Sequence, residues 1–388
     1  MENQGDLNLF FATNASRQEV HEALVNVAPS RLHGKTLTLV HIHSKPPFMN
    51  YRLLMMLVTA SAILSSCNNS TDTKMASSKY KTIGTIERID PTLDSIILPD
   101  AKIEVIADSF DWSEGPVWIE SKKMLLFSDV PQNIVYKWTE EKGKEIFLTP
   151  SGYSDSLKRG GEMGSNGLTL DPNGQLVLCQ HGNRQMAKMD ASLDEPKSVF
   201  VSIANNYKGK KFNSPNDAVY NSAGELFFTD PPYGLEKQLE DPKKEIHFQG
   251  VYKVKASGDV ILLVDSLTRP NGIAFMPGEK TLLVANSDPA KPNWYAFDVN
   301  GDSLSNGRIF YSATGYDSTL KGLPDGMKID RNGNVFATGP GGLWIFNKDG
   351  KVLGKIKFND ATSNCAFSPD QRTLYITNDM NVLRVKMR

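Results

Sequence analysis

Six residues with side-chain oxygens stand at the same point of a recurring phrase: Glu114, Asn166, Asn216, Asn271, Asp325 and Asn364. Each precedes a short apolar strand, as in Pro270-Asn-Gly-Ile-Ala-Phe275, and they recur at intervals of 52, 50, 55, 54 and 39 residues. If equivalent positions of a repeat converge on one axis, these carboxylates and amides form an oxygen-lined ring suited to a hard divalent cation. With Glu114 and Asp325 ionised, the ring carries two negative charges, which balances one such ion. Calcium suits the mixed oxygen set best, with zinc, magnesium and manganese as the other candidates; no Cys and His cluster with zinc spacing occurs. Asn and Asp also serve simple turns into strands. That accounts for one or two such positions, but not for six, and not for Glu114.

A second set ends the hairpin that follows each phrase: Asp129, His181, Asp230, Asn286, Gly339 and Asn378. These residues are expected to return to the face of the first ring. His181, in Cys179-Gln-His-Gly-Asn-Arg184, is one of two histidines in the globular part, the other being His247. Beside a cation, a histidine can shuttle a proton or bind substrate. The alternative is a hydrogen-bonded histidine that only fixes its loop. Asn166 and Asp230, facing the same channel, are expected substrate contacts.

The phrase that carries these residues dictates the fold. It reads as a polar residue and a small one, an apolar strand, a turn, and a second apolar strand with a polar end. Repeats of roughly 40–50 residues are usual for four-stranded propeller blades. Six of them predict an all-β, six-bladed β-propeller across residues 82–388. The strand at 102–107 has no blade of its own, and the last repeat, ending in Val382-Leu-Arg-Val-Lys-Met387, is the shortest. The two are expected to pair, so that an N-terminal strand completes the blade at 363–387 and covers its edges. Outer strands are expected at 134–138, 250–254, 294–297 and 343–346. Longer loops fall at 150–164, 203–213, 232–249 and 311–322, and those at 150–164 and 232–249 are long enough to screen a small substrate.

The composition is that of an ordinary folded chain, 40% hydrophobic and 22% charged. A net charge of -1 gives no reason to expect nucleic acid. Three cysteines build no disulfide framework; Cys179 and Cys365 lie in apolar strands and read as buried, inert thiols. The N-terminus is different. Residues 1–48 show no period and read as an over-extended start. Met49-Asn-Tyr-Arg opens a signal-like segment with the apolar run Leu53–Leu64, ending in Leu64-Ser-Ser-Cys67. This resembles a bacterial lipobox and predicts a lipid anchor at Cys67, a Ser/Thr-rich tether over 68–81, and a cell-envelope lipoprotein of a Gram-negative-type bacterium, facing the periplasm or the surface.

The globular part resembles the SMP-30/gluconolactonase family of calcium-dependent lactonases. The resemblance rests on Ser-Glu-Gly-Pro-Val-Trp at 113–118, Ser-Asn-Gly-Leu at 165–168, Cys-Gln-His-Gly-Asn-Arg at 179–184, Ser-Pro-Asn-Asp at 214–217, Phe-Thr-Asp-Pro-Pro-Tyr-Gly at 228–234, Arg-Pro-Asn-Gly-Ile at 269–273 and Pro-Asp-Gly at 324–326. It implies Glu114, Asn271 and Asp325 as metal ligands. Asn216 would contact substrate and, in some relatives' manner, the metal. Asp325 would activate water, with His181 as the other candidate base, and His181 and Arg184 would line the pocket. Ser214 stands where some animal members carry an arginine that helps hold a sugar acid. The implied activity is hydrolysis of a sugar-derived lactone by cation polarisation of its carbonyl and an activated water. The other readings are a broader esterase or phosphotriesterase on the same site, and a non-catalytic envelope propeller that binds a ligand.

Overall fold

The second strand of each repeat is a nearly unbroken apolar run, such as Met124-Leu-Leu-Phe127. A strand of that kind needs cover on both faces. The structure, a computed structural model that describes residues 79–157 and 159–388, provides it with six antiparallel sheets arranged as the blades of a propeller. Met124–Asp129, Leu176–Gln180, Leu226–Asp230, Val335–Gly339 and Thr373–Asn378 are buried at every residue. Each is the second strand of its blade and is flanked by the neighbouring sheets. The first blade sets the pattern: Ser113–Ile119, Met124–Asp129, Ile134–Thr139 and Gly143–Leu148 pair in chain order.

Blades meet through six apolar clusters among the described residues. Phe227 packs with Ile273 where the third blade meets the fourth. Trp294 packs on Trp344 where the fourth meets the fifth, their ring centroids 5.8 Å apart. The hydrophobic driving force is therefore spread around the ring. Each contact is its own small core, and emptying one, for instance at Trp294, costs about 3–5 kcal/mol. Cys179 and Cys365 sit inside such clusters, and burial pushes the Cys365 thiol up to about 12.

The ring closes as the sequence predicts. Ile103–Asp108 pairs antiparallel with Asn381–Lys386, Ile103 opposite Val385 and Asp108 opposite Asn381. It forms the outermost strand of the sixth blade, whose other three strands come from the C-terminus. Arg384 fastens the seam, donating to Glu104 Oε2 at 2.8 and 2.6 Å and to Glu140 of the first blade. Thr85–Arg88 is unheralded in the sequence and adds a fifth strand to the fifth blade by pairing with Val352–Lys357. The over-extended start, signal segment, lipobox Cys67 and most of the tether lie outside the described residues.

Candidate active site

Five of the six ring residues sit where the inner strand leaves regular pairing; Asn364 alone pairs in register, opposite Thr377. Between Glu114 and Val117 the register with the second strand slips, as it does between Ser165 and Leu168 and between Pro270 and Ile273. In the third and fifth blades pairing begins only at Ala218 and Met327, two residues beyond Asn216 and Asp325. Such irregularities re-aim side chains that a regular ladder would direct to a sheet face. The next residue is glycine in four blades, because the adjoining blade packs against it. A Cβ on Gly115 would fall on the backbone carbonyl of Asn166, and one on Gly272 on that of Asp325.

Glu114, Asn166, Asn216, Asn271 and Asp325 line one pocket of about 270 Å³. Hydrogen bonds behind the pocket turn the amides. Asn271 Nδ2 donates to Ser287 Oγ at 3.0 Å, and Ser287 donates in turn to the carbonyl of Pro324. His181 Nε2 lies 3.4 Å from Asn216 Nδ2. With their NH₂ groups so engaged, both amides are left with Oδ1 for the pocket. Asn166 Oδ1, Asn216 Oδ1 and Asp325 Oδ1 are buried and accept no hydrogen bond. Each such orphaned acceptor costs about 1–3 kcal/mol unless something satisfies it.

The electrostatics point the same way. Burial pushes Glu114 up to about 8, with repulsion from Asp217 and Glu162 adding to it. Burial and then Glu114 hold Asp325 well above the carboxylate range. Carboxyls that resist ionising together accommodate a positive charge between them. The donors are oxygens throughout. Among the described residues no group of three or more His, Cys, Asp and Glu side chains is placed to hold a metal ion, so a cation here would depend on amide oxygens beside the two carboxylates. Two carboxylates with amide oxygens fit a hard divalent cation. Asn364 completes the ring in sequence but is not on the pocket wall. Its Oδ1 accepts from the Cys365 N–H at 2.8 Å, and its Nδ2 lies 3.4 Å from Asp217 Oδ2.

The other expected site residues lie elsewhere. His181 is fully buried behind Asn216 and off the pocket wall; its Nδ1 lies 3.3 Å from Oε2 of the wall residue Glu162 and makes no hydrogen bond. Arg184 is off the pocket wall; its guanidinium donates to the backbone carbonyls of Phe212, Lys243 and Lys211 and ties two loops together. Asp230 is also off the wall; its oxygens accept from the N–H groups of Asn213 and Ser214, both at 2.8 Å. The same clamp recurs in other blades. Asp129 accepts from the N–H groups of Asp111 and Trp112, and Asn286 Oδ1 from that of Arg269. The second set of polar residues therefore mostly holds the loops that lead into the inner strands. The pocket wall includes Trp112, Glu162, Tyr233, Arg269 and Ser287, which sequence reasoning missed. Trp112 and Arg269 carried a signal, since both stand two residues before a ring position.

Residues 112–379 match the family model described as SMP-30/Gluconolactonase/LRE-like region. A gluconolactonase of Zymomonas mobilis is 43% identical over 314 residues, which is 79% of this chain and 87% of that one. A solved structure of a gluconolactonase from Xanthomonas campestris is similar with a TM-score of 0.68 at 29% identity, over 80% of this chain and 96% of that one. A regucalcin of Sus scrofa is 25% identical over 285 residues, 71% of this chain and 86% of its own length.

Proposed function

Since the chain belongs to the SMP-30/gluconolactonase/LRE-like family, we propose that it is a hydrolase that opens a sugar-derived lactone at a divalent-cation site. The observation that carries the site is the convergence of unsatisfied oxygens from Asn166, Asn216 and Asp325, with Glu114 and Asn271, on one pocket. Glu114, Asn271 and Asp325 would hold the cation, calcium by preference, with Asn216 beside them. Such an ion supplies positive charge that polarises a lactone carbonyl and stabilises the charge developing on its oxygen.

The chain's own residues supply the rest. Asn166 and Asn216 present oxygens that can orient the substrate. His181 keeps the Asn216 amide in that orientation through its contact at 3.4 Å. Asp325 is the group assigned to take a proton from the attacking water, through a carboxylate oxygen that the cation leaves free. The pocket volume of about 270 Å³ falls just below the roughly 300–1,000 Å³ of drug-sized sites, so it suits a single sugar ring.

The test is pH-stat hydrolysis of D-glucono-1,5-lactone by the full chain. Turnover is expected to vanish with a chelator and return with calcium. Equal turnover with and without chelator would sink the cation reading. Failure with calcium, magnesium, manganese and zinc alike would remove gluconolactone as a substrate.

A further inference from the structure

Two residues before each ring position stands another set: Trp112, Gly164, Ser214, Arg269, Leu323 and Thr362. Four of these, Trp112, Arg269, Leu323 and Thr362, line the pocket as a second tier above the cation donors in sequence order. The remaining two are small, and loops fill their places. Ser214 Oγ donates to the carbonyl of Pro231 at 2.6 Å and accepts from the N–H of Gly234 at 2.9 Å. That pair of bonds holds the segment that puts Tyr233 on the pocket wall. Beside Gly164, the 150–164 loop brings in Glu162.

Arg269 is the one member of this tier with unspent hydrogen-bonding capacity and a charge. Its backbone is fixed, since its N–H donates to Asn286 Oδ1 at 2.8 Å. Its guanidinium lies over the Tyr233 ring, 5.9 Å from the centroid, and makes no hydrogen bond or ion pair among the described residues. The nearby Asp288 carboxylate is held by Thr268 Oγ1 at 2.6 Å and the Ala290 N–H at 2.9 Å. A half-buried guanidinium braced on an aromatic face, with five donors free, is built to bind oxygens.

The charges decide which oxygens. With a bound cation drawing Glu114 and Asp325 into their ionised forms, the pocket wall sets three carboxylates, Glu114, Glu162 and Asp325, against the Arg269 guanidinium, a net of two negative charges from the protein. One divalent cation brings that sum to zero. An anionic ligand would then lack a compensating charge, whereas a neutral one rich in hydroxyls finds a donor in Arg269 and an acceptor in Glu162. The geometry points to Arg269 as the residue that selects a neutral, polyhydroxylated lactone by donating to hydroxyl oxygens that the cation donors do not engage. This rests on the lactone-hydrolase reading of the pocket.

The experiment uses the full chain loaded with calcium and the variants Arg269→Met, Arg269→Lys and Glu162→Gln. The ratio of kcat/KM for D-glucono-1,5-lactone to that for unsubstituted δ-valerolactone is expected to drop about tenfold or more in Arg269→Met, chiefly through KM, and less in Arg269→Lys. An unchanged ratio overturns the assignment. Wild-type protein is expected to prefer gluconolactone to the anionic D-glucaro-1,4-lactone, and Glu162→Gln to narrow that preference; a wild-type preference for the acid lactone overturns the assignment. A readout independent of turnover is saturation-transfer NMR with 1,5-anhydro-D-glucitol, a neutral ring polyol without an ester. A signal from wild type that is lost in Arg269→Met supports the proposal, and no signal from wild type overturns it. A polyol signal without any lactone turnover would overturn the hydrolase reading alone.

Discussion

Asp230 is an expected substrate contact, yet its buried carboxylate is spent on the backbone. The N–H groups of Asn213 and Ser214 that it accepts from fix the approach to Asn216. Burial pushes it up to about 7, against the lowering effect of those N–H groups and of Arg184. The unfolded chain titrates this carboxyl near 4. Its favourable contribution is therefore complete below about pH 4 and is lost as the pH rises through about 7. Asp230→Asn removes the titration. With calcium present in both samples, the melting temperature of the wild type should decline across that window more steeply than that of the variant; parallel curves would contradict the assignment. Of the expected site residues that lie off the pocket wall, Arg184 and Asp230 share one cause. Their types and their nearness to the channel were legible, but both are satisfied by backbone groups of loops that only the fold brings to them.

Among elements, the inner strand does most to build the site. Its irregular start aims the ring residue, and the glycine after it lets the neighbouring blade come close. Gly272 shows the dependence most directly, because any side chain there displaces the carbonyl of Asp325. Gly272→Ala should cost about 1–3 kcal/mol of stability from overpacking and, by moving Asp325, weaken calcium binding. Thermal melts and a calcium titration check both, and wild-type calcium affinity would mean that this contact does not set Asp325. These strands were readable because the phrase repeats and its second strand is apolar along nearly its whole length. The loops at 150–164 and 232–249 follow no period, so Glu162 and Tyr233 could not be assigned to the pocket from their surroundings in sequence. Thr85–Arg88 escaped for another reason: four residues alternating between exposed and half-buried leave too faint a pattern.

At the scale of the whole molecule, a ring of six separate cores needs its last seam. A chain beginning at residue 109 would leave Asn381–Lys386 with an open edge and Arg384 without Glu104. It should lose its cooperative melt and self-associate, measured by scanning calorimetry and size-exclusion chromatography. Appending residues 100–108 after Arg388 should restore both, since the Arg388 N–H already donates to the carbonyl of Ile96 at 2.9 Å and the two ends are neighbours. A cooperative, monomeric melt of the shortened chain would refute the role of the seam. The route of the N-terminal stretch to that seam has a mechanical meaning. Lys79 and Tyr80 grip Glu140, Lys81 and Ile83 bond to Val105 and Ile103, and Thr85–Arg88 lies along the fifth blade, all before the chain reaches Ile103–Asp108. A tug on residue 79 must undo these holds one after another. They act like the strain-relief sleeve on a cable, giving way in turn at the periphery before the pull reaches the pocket inside the ring.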